Sequence, residues 1–228
     1  MVKTDVSVLP MGHLLSVQVG MPQKMTTIRG REWESAIVKE SIAGRVVINP
    51  ENVAGDKQAN QKYHGGPSKA VCGYSLEHFA VWHEEFGLVL PFGAFGENIT
   101  VSGLTEDILC LGDLLEIGSV QLQISQPRMP CANVAKRWNC RELPERMMAT
   151  GFTGFYCRVL KTGEIEAGQR VRIVARYCPE WTILRMNQTL YQVGISEVQV
   201  RELQAISQLT GEWKRALGRK LKRSQEDS

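Results

Sequence analysis

A mainly β fold, a barrel or sandwich with a few flanking helices, followed by a small helical bundle, is the class this sequence predicts. Three observations carry it. Short β-branched runs separated by glycine turns recur before residue 176. One hairpin, Leu114–Ile117 and Val120–Ile124 around Gly118-Ser119, alternates Val120, Leu122 and Ile124 with Gln121 and Gln123, as a sheet with one buried face requires. At Pro179 the composition turns helical. The expected organisation is a β domain over residues 1–176 and a three-helix domain over 177–228.

Taken in order, Leu14-Leu15-Ser16-Val17-Gln18-Val19 partly alternates and stops at Gly20, which predicts a first strand. Ala36–Lys39 and Arg45–Ile48 are short and β-branched, with Ala43-Gly44 between them, so each is expected to be a strand. Residues 49–73 read as loop, with Asn49-Pro50, Ala54-Gly55-Asp56 and His64-Gly65-Gly66-Pro67 as turn signals. Ser75 is placed to cap a helix over 76–86, with Leu76, Phe79, Ala80 and His83 on one face and Gly87 as its stop. His78 and His83 are five apart and miss the i, i+4 spacing of a helical metal pair. Residues 91–98 form a second glycine-rich loop, ending in Glu97-Asn98. In the hairpin that follows, Gly118-Ser119 suits a type II′ turn. Leu143–Met148 predicts a short helix, and Phe155–Leu160 and Gln169–Val174 predict two strands. In the second of these, Val171 and Ile173 alternate with Arg170 and Arg172. Trp181–Val193, Ser196–Leu209 and Gly211–Arg223 predict three helices. Ser196 is the expected N-cap of the second, Gln199 holds its capping-box position, and Leu203, Ile206 and Leu209 share a face. Helices this short are not stable alone, which predicts packing as a bundle.

A chain of 228 residues can bury a sizeable core. Its 43% hydrophobic and 22% charged residues match an ordinary soluble globular protein and exclude a disordered or fibrous class. No apolar run approaches the ~18 residues of a membrane span. The start, Met1-Val2-Lys3-Thr4-Asp5, has no long apolar core after it and predicts no secretory leader. The net charge of +3 belongs to residues 211–228, where six basic side chains face three acidic ones, so the rest of the chain is balanced. The main body gives no argument for nucleic-acid binding. Six cysteines, at 72, 110, 131, 140, 157 and 178, are too scattered for a disulfide scaffold and include no C-x-x-C pair. That usage predicts a reducing compartment, most simply the cytoplasm.

One stretch concentrates chemistry: Ser125-Gln126-Pro127-Arg128-Met129-Pro130-Cys131. Its prolines fix φ and remove two backbone donors, which predicts a stiff segment that leaves the strand. Arg128 puts a permanent cation three residues from Cys131. A nearby cation favours the thiolate, the form that ligates metals and attacks electrophiles. A buried packing cysteine after a turn explains the same residues. The loops Asp56–Gly66, Gly96–Asn98 and Arg128–Cys131 read either as walls of one anion-tolerant pocket or as three ordinary turns. Their glycines match neither G-x-x-x-x-G-K-[ST] nor G-x-G-x-x-G. No histidine neighbours Cys131 in sequence, and His64 reaches it only through the fold.

Five stretches stand in a fixed order: Ala54-Gly55-Asp56-Lys57-Gln58-Ala59; His64-Gly65-Gly66-Pro67-Ser68-Lys69-Ala70-Val71-Cys72; Phe95-Gly96-Glu97-Asn98-Ile99-Thr100-Val101; Leu111-Gly112-Asp113; and Gln126–Cys131. Together they resemble the MOSC domain, the family named after the C-terminal domain of molybdenum cofactor sulfurase. Trp181-Thr182-Ile183 through Leu221 is similar to the three-helix tail of the YiiM-type branch, so the resemblance spans nearly the whole chain. It implies a MOSC-type β-barrel that binds the molybdenum cofactor (molybdopterin). The cysteine at the position of Cys131 is implied to ligate molybdenum or to carry sulfur, a role a soft thiolate suits. Arg128 would support that thiolate or pair with the pterin phosphate. His64 with Gly65 and Gly66 would hold the phosphate or pterin edge. Asp56, Gly96, Glu97 and Asn98 would bond pterin nitrogens or order the loops, and Asp56 and Glu97 serve equally as turn residues. The chain departs from the motif at Met129, often a small residue in the family, and at Ala132-Asn133, where an aromatic residue and Lys are common.

YiiM-type members are linked to reduction of N-hydroxylated compounds, including hydroxylaminopurine base analogues, with electrons from a separate flavoprotein reductase. The function expected from the resemblance is therefore a molybdenum-dependent, detoxifying oxidoreductase that acts on N-hydroxyl groups, with Cys131 as catalytic residue and metal ligand. The alternative from a different class is a carrier that holds the cofactor, or sulfur on Cys131, and hands it on. Arg215, Arg219 and Lys222 lie at helical spacing and read as a solvated face or as a docking site for an acidic reductase surface.

Overall fold

In the computed structural model, which describes residues 9–192 and 196–226, short apolar runs pair edge to edge until the sheet meets itself. The chain begins with β1 (Met11–Val19), β2 (Gln23–Thr26), β3 (Glu32–Ser35), β4 (Glu40–Ser41) and β5 (Val46–Ile48). Next come α1 (Gln61–His64), β6 (Val71–Ser75), α2 (Glu77–Phe86), β7 (Ile99–Ser102), β8 (Leu114–Ile117) and β9 (Val120–Pro127). After β9 stand α3 (Ala132–Trp138), α4 (Leu143–Thr150), β10 (Phe155–Lys161), β11 (Gly163–Ile165) and β12 (Arg170–Ala175). The chain closes with α5 (Ile183–Tyr191), α6 (Glu197–Ala205) and α7 (Gly211–Glu226).

The barrel order is β12-β8-β9-β10-β6-β7-β1, and β1 pairs back onto β12. A closed ring with an odd number of strands cannot be antiparallel throughout. Here β6 and β7 make the parallel pair, joined by the crossover through α2, and the other barrel pairs are antiparallel. Closure removes the exposed strand edges that invite aggregation. Outside the ring, β4 extends β1, β2 pairs with β3, and β5 pairs with β11.

The hairpin forms as its alternation predicts. Leu115, Ile117, Val120, Leu122 and Ile124 are buried in one core, and burial of each such side chain stabilises by about 1.5–3 kcal/mol. Gly118 has φ 55 and Ser119 has no positive φ, as a type II′ turn needs. The same core continues under the helices through Trp181, Ile183, Met186, Leu203 and Trp213. Thr182 caps α5, its Oγ1 accepting from the Arg185 N–H at 3.1 Å. Thr210 serves α7 likewise, accepting from the Trp213 N–H at 3.3 Å while donating to Gln126 Oε1 at 2.5 Å. Trp213 Nε1 then donates to the Pro127 carbonyl at 2.8 Å. The last helix is thus fastened to the end of β9, the strand that leads to Cys131. No helix among the described residues is long and apolar enough to cross a membrane.

Several local expectations are corrected. Ala36–Lys39 is no strand, because side chains and not a neighbouring ladder take its backbone groups. The Ile37 N–H donates to Ser35 Oγ at 3.2 Å, and Arg137 Nη1 donates to the Ile37 carbonyl. Residues 71–73 are not loop but the first part of β6, which is buried at every position, so no period of two marks it. Ser75 ends that strand, donating to the Leu104 carbonyl at 2.6 Å, and Leu76 takes the N-cap position of α2. Helix α2 buries His78 and Trp82 instead of the Leu76 face. Their polar atoms find partners: His78 Nε2 meets Glu106 Oε2 at 2.5 Å, and Trp82 Nε1 donates to the Tyr74 hydroxyl at 2.7 Å. Gly87 stops the helix with φ 67, as expected. β9 runs on through Pro127 before the stiff segment begins. Ser196 holds the N-cap position of α6 without a side-chain cap bond, and Ile206 lies beyond the helix as its C-cap. Met1–Asp5 and Val193 lie outside the described residues.

Candidate functional site

Between the end of β9 and the start of α3 the chain carries Arg128 and Cys131 to the wall of a cavity of 210 Å³. Asp56, His64, Gly96 and Asn98 meet them there, so six of the nine residues singled out in the sequence share one space. Gly65, Gly66 and Glu97 are not part of its lining.

Arg128 is 5% exposed. Its Nη2 donates to the Phe95 carbonyl at 2.6 Å, while its Nη1 is buried without a partner. An unsatisfied buried donor costs about 1–3 kcal/mol, and more when charged, so this atom calls for an acceptor. Among the described residues no carboxylate lies within ion-pair distance of Arg128; the charged pairs nearby are Lys39 with Asp56 and Lys69 with Glu212. The arginine is held from behind. Its own N–H donates to the Gly154 carbonyl at 3.0 Å, and the Gly154 N–H donates to Glu106 Oε1 at 2.7 Å.

Cys131 is the residue just before α3 and is half-buried. Burial pushes its thiol up, but a hydrogen bond with His64, the Arg128 charge, the His64 charge and the Asn133 N–H together bring it down to about 7. The other cysteine of the cavity behaves oppositely, as burial pushes Cys72 up to about 11. Near neutral pH the site therefore holds one thiol poised to ionise and one that stays protonated.

The polar loop residues are used mostly on each other. Asp56 Oδ1 pairs with Lys39 and accepts from the Gly20 N–H at 2.8 Å. Its Oδ2 accepts from Asn98 Nδ2 at 2.9 Å and from Gln58 Nε2 at 3.2 Å. Asn98 Oδ1 accepts from the Cys72 N–H at 3.1 Å. This network ties the two loops to β6. Glu97 is fully buried and accepts from the Gly93 and Phe95 N–H groups at 2.7 and 2.9 Å and from Thr100 Oγ1 at 3.1 Å. Its carboxylate is thus spent on its own turn, the structural role the sequence allowed. Gly96 has φ 80, and a Cβ there would meet Ile37 at 3.0 Å, so only glycine brings the backbone to the cavity wall. Gly66, at φ 90, turns the chain into a short 3-10 turn over Pro67–Lys69 and sets the positions of His64 and Lys69 on either side.

Among the lining residues that sequence reasoning did not assign to the site are Lys39, Lys69, Cys72 and Tyr156. Cys72 and Tyr156 are partners across β6 and β10, and burial pushes the Tyr156 hydroxyl far above its ordinary range. A lone residue in a buried strand carries no local signal. Among the described residues no three of His, Cys, Asp and Glu gather as a metal cage. The site offers one ionisable thiol, one cation with an unpartnered donor and a close-approach backbone, a set that suits an anionic ligand carrying a soft electrophilic centre.

The MOSC domain profile matches residues 60–172, a span that includes His64, Gly96, Arg128 and Cys131. YflK of Bacillus subtilis, described as uncharacterized, is 40% identical over 163 residues, covering 72% of this chain and 73% of that protein. A protein of Gibberella moniliformis named a reductase is 32% identical over 189 residues, covering 81% of this chain and 33% of that protein, so the chain spans about a third of it. The crystal structure of YiiM from Geobacillus stearothermophilus superposes with a TM-score of 0.78 at 33% identity, over 92% of this chain and 99% of that one. The motif order, the closed barrel and these matches make the chain a member of the MOSC domain family, among the relatives of YiiM.

Proposed function

We propose that this protein is a molybdenum-cofactor-dependent reductase of N-hydroxylated small molecules, supplied with electrons by a separate flavoprotein reductase. The observation that carries this reading is the Cys131 thiol, brought down to about 7, beside a buried Arg128 whose Nη1 lacks a partner. MOSC domains are associated in general with molybdenum cofactor binding. The residues here fit such a group on chemical grounds. The thiolate is a soft donor for a transition metal. The orphaned guanidinium nitrogen is a donor for an anionic oxygen. When bound, the cofactor would supply the two-electron redox chemistry.

The chain's own residues bind, orient and manage protons. Cys131 would ligate the metal, and Arg128 would steady both the thiolate and an anionic oxygen. Gly96 leaves room for a backbone approach, and the Lys39–Asp56–Asn98 network keeps the loops in place. Opening an N–O bond takes up two electrons and two protons, turning R–NHOH into R–NH2 and water. His64, which lines the cavity with Cys131, would hold one of those protons on its ring. The relative named a reductase supports the reaction class. The scattered, free cysteines support a reducing compartment.

The test is purification from a molybdenum-replete host, followed by metal and pterin analysis and an assay of hydroxylamine reduction with a flavoprotein reductase. The wild type is expected to hold both metal and pterin and to turn over, and a folded Cys131→Ala variant to lose turnover. A folded Cys131→Ala variant that keeps its molybdenum and full activity would end the proposal. Transfer of cofactor to a recipient apo-enzyme, with no turnover given any donor, would replace it with the carrier.

A further inference from the structure

One buried polar pair stands outside the proposed chemistry. His78 of α2 and Glu106, from the loop after β7, are 4% and 1% exposed, and neither lines the cavity. His78 Nε2 meets Glu106 Oε2 at 2.5 Å, and the imidazole stacks on Phe152 with ring centroids 4.0 Å apart. Taking such groups out of water is costly, and an apolar pair of similar size would fill the same space. Core filling therefore does not account for the carboxylate. Its other oxygen does: Glu106 Oε1 accepts from the Gly154 N–H at 2.7 Å.

Gly154 ends a short strap, residues 151–154, between α4 and β10. Side chains from three directions hold it. The Tyr74 hydroxyl donates to the Phe152 carbonyl at 3.0 Å. Asn187 Nδ2, from α5, donates to the Gly151 carbonyl at 2.9 Å and to Thr153 Oγ1 at 2.8 Å. Glu106 holds the end. Gly154 has φ 79, and a Cβ there would meet the Gly73 carbonyl at 2.6 Å, so the strap lies directly on the backbone of β6. The Gly154 carbonyl takes the Arg128 N–H at 3.0 Å, one residue past the Phe155–Pro127 register of β10 and β9. That bond sets where the arginine leaves the sheet. Further out, Nη2 is tied to the Phe95 carbonyl, and Nη1 stays buried without a partner. A side chain fixed at its root and at one nitrogen offers the other nitrogen in one place. Misplacing such a group by about 1 Å can cost a site most of its strength.

We propose that Glu106 is a positioning residue of this cavity: through Gly154 it sets the place where Arg128 offers Nη1 to the anionic group of a bound ligand. His78 serves it in turn by holding the second carboxylate oxygen. This rests on the reading of Arg128 as the anion's partner in the reductase, while the chain of contacts stands without it. A pair that only filled the core would affect stability and leave anion affinity alone.

The experiment takes the full chain from a molybdenum-starved host and measures the concentration of inorganic phosphate that half-protects Cys131 from iodoacetamide, at fixed ionic strength. Protection reads occupancy beside the thiol and needs no turnover. H78L/E106L replaces the pair with apolar side chains, a change that buried pairs tolerate, and leaves the Gly154 N–H without its acceptor. It is expected to fold and to need roughly tenfold or more phosphate, a loss of about 1.4 kcal/mol. E106D, too short to span His78 and Gly154, is the second variant and should weaken protection in the same direction. E106Q keeps a carbonyl oxygen for Gly154 and should stay within about threefold of wild type. R128Q should lose the protection. Wild-type protection in folded H78L/E106L or in folded E106D overturns the inference. So does an E106Q protein that falls as far as the double variant, because the acceptor would then not be the controlling feature. Wild-type protein that phosphate does not protect, or R128Q protected as well as wild type, removes Arg128 as the anion's partner and this inference with it. A protein with Glu106-dependent protection that reduces nothing overturns the reductase reading alone. An active enzyme whose protection is indifferent to Glu106 overturns this inference alone.

Discussion

Replacing His64 with alanine tests how the cavity sets the state of its thiol. Burial by itself would hold Cys131 above the ordinary 9.0 of a free thiol. The His64 hydrogen bond is the largest opposing influence, ahead of the Arg128 charge, and the sum lies at about 7. At neutral pH that is the difference between about half of the molecules ionised and about one in a hundred. The variant keeps the burial and loses the principal lowering contact, so its midpoint should move up to the ordinary thiol range or beyond. Alkylation near neutral pH should then fall roughly tenfold or more, since the thiolate is the reacting species. The assay is the pH profile of iodoacetamide labelling at the Cys131 peptide, in protein prepared from a molybdenum-starved host. The buried thiols interfere little, because burial pushes Cys72 and Cys178 up to about 11 and Cys110 up to about 12. A variant whose midpoint stays near the wild-type value would refute the assignment of His64 as the partner of this thiol.

Two further substitutions test the scaffold behind the site. Asp56→Ala strands the buried Lys39 and removes the acceptor of Gly20, Asn98 and Gln58; urea unfolding should register a loss of about 3–5 kcal/mol. A loss under about 1 kcal/mol would mean that water already compensates the lysine, as at a surface pair. Trp213→Phe keeps an aromatic ring but removes the donor to the Pro127 carbonyl, which should cost about 1–3 kcal/mol. Because Pro127 immediately precedes Arg128, the Cys131 labelling midpoint should shift as well, and an unshifted midpoint would show that α7 does not restrain the thiol loop.

What was legible in the sequence follows from where local pattern and tertiary role coincide. The β8–β9 hairpin alternates because one face is buried, so its period and its Gly118 turn could be read directly. β6 is buried at all five positions, and Val-Cys-Gly-Tyr-Ser has no alternation to find. Ala36–Lys39 has strand composition, yet its backbone is satisfied by Ser35 and Arg137, contacts that no local window contains. In α2 the buried face carries His78 and Trp82, which polarity scales place outside but whose hydrogen bonds permit burial. The cavity was partly legible because its loops need glycines and polar caps, and those mark sequence positions. Lys39 and Tyr156 left no mark, being single residues brought to Asp56 and Cys72 by the fold. Gly65, Gly66 and Glu97 stood out for the same turn chemistry, and that chemistry is what they perform.

The most direct measurement of the central claim is paired metal and pterin analysis with N-hydroxyl reduction, on wild-type protein and on Cys131→Ala, both from a molybdenum-replete host. The account predicts equimolar molybdenum and pterin with reductase-dependent turnover in the wild type, and lost turnover in a variant that still folds. Wild-type protein that folds, acquires neither metal nor pterin, and still reduces the N-hydroxyl substrate would contradict it.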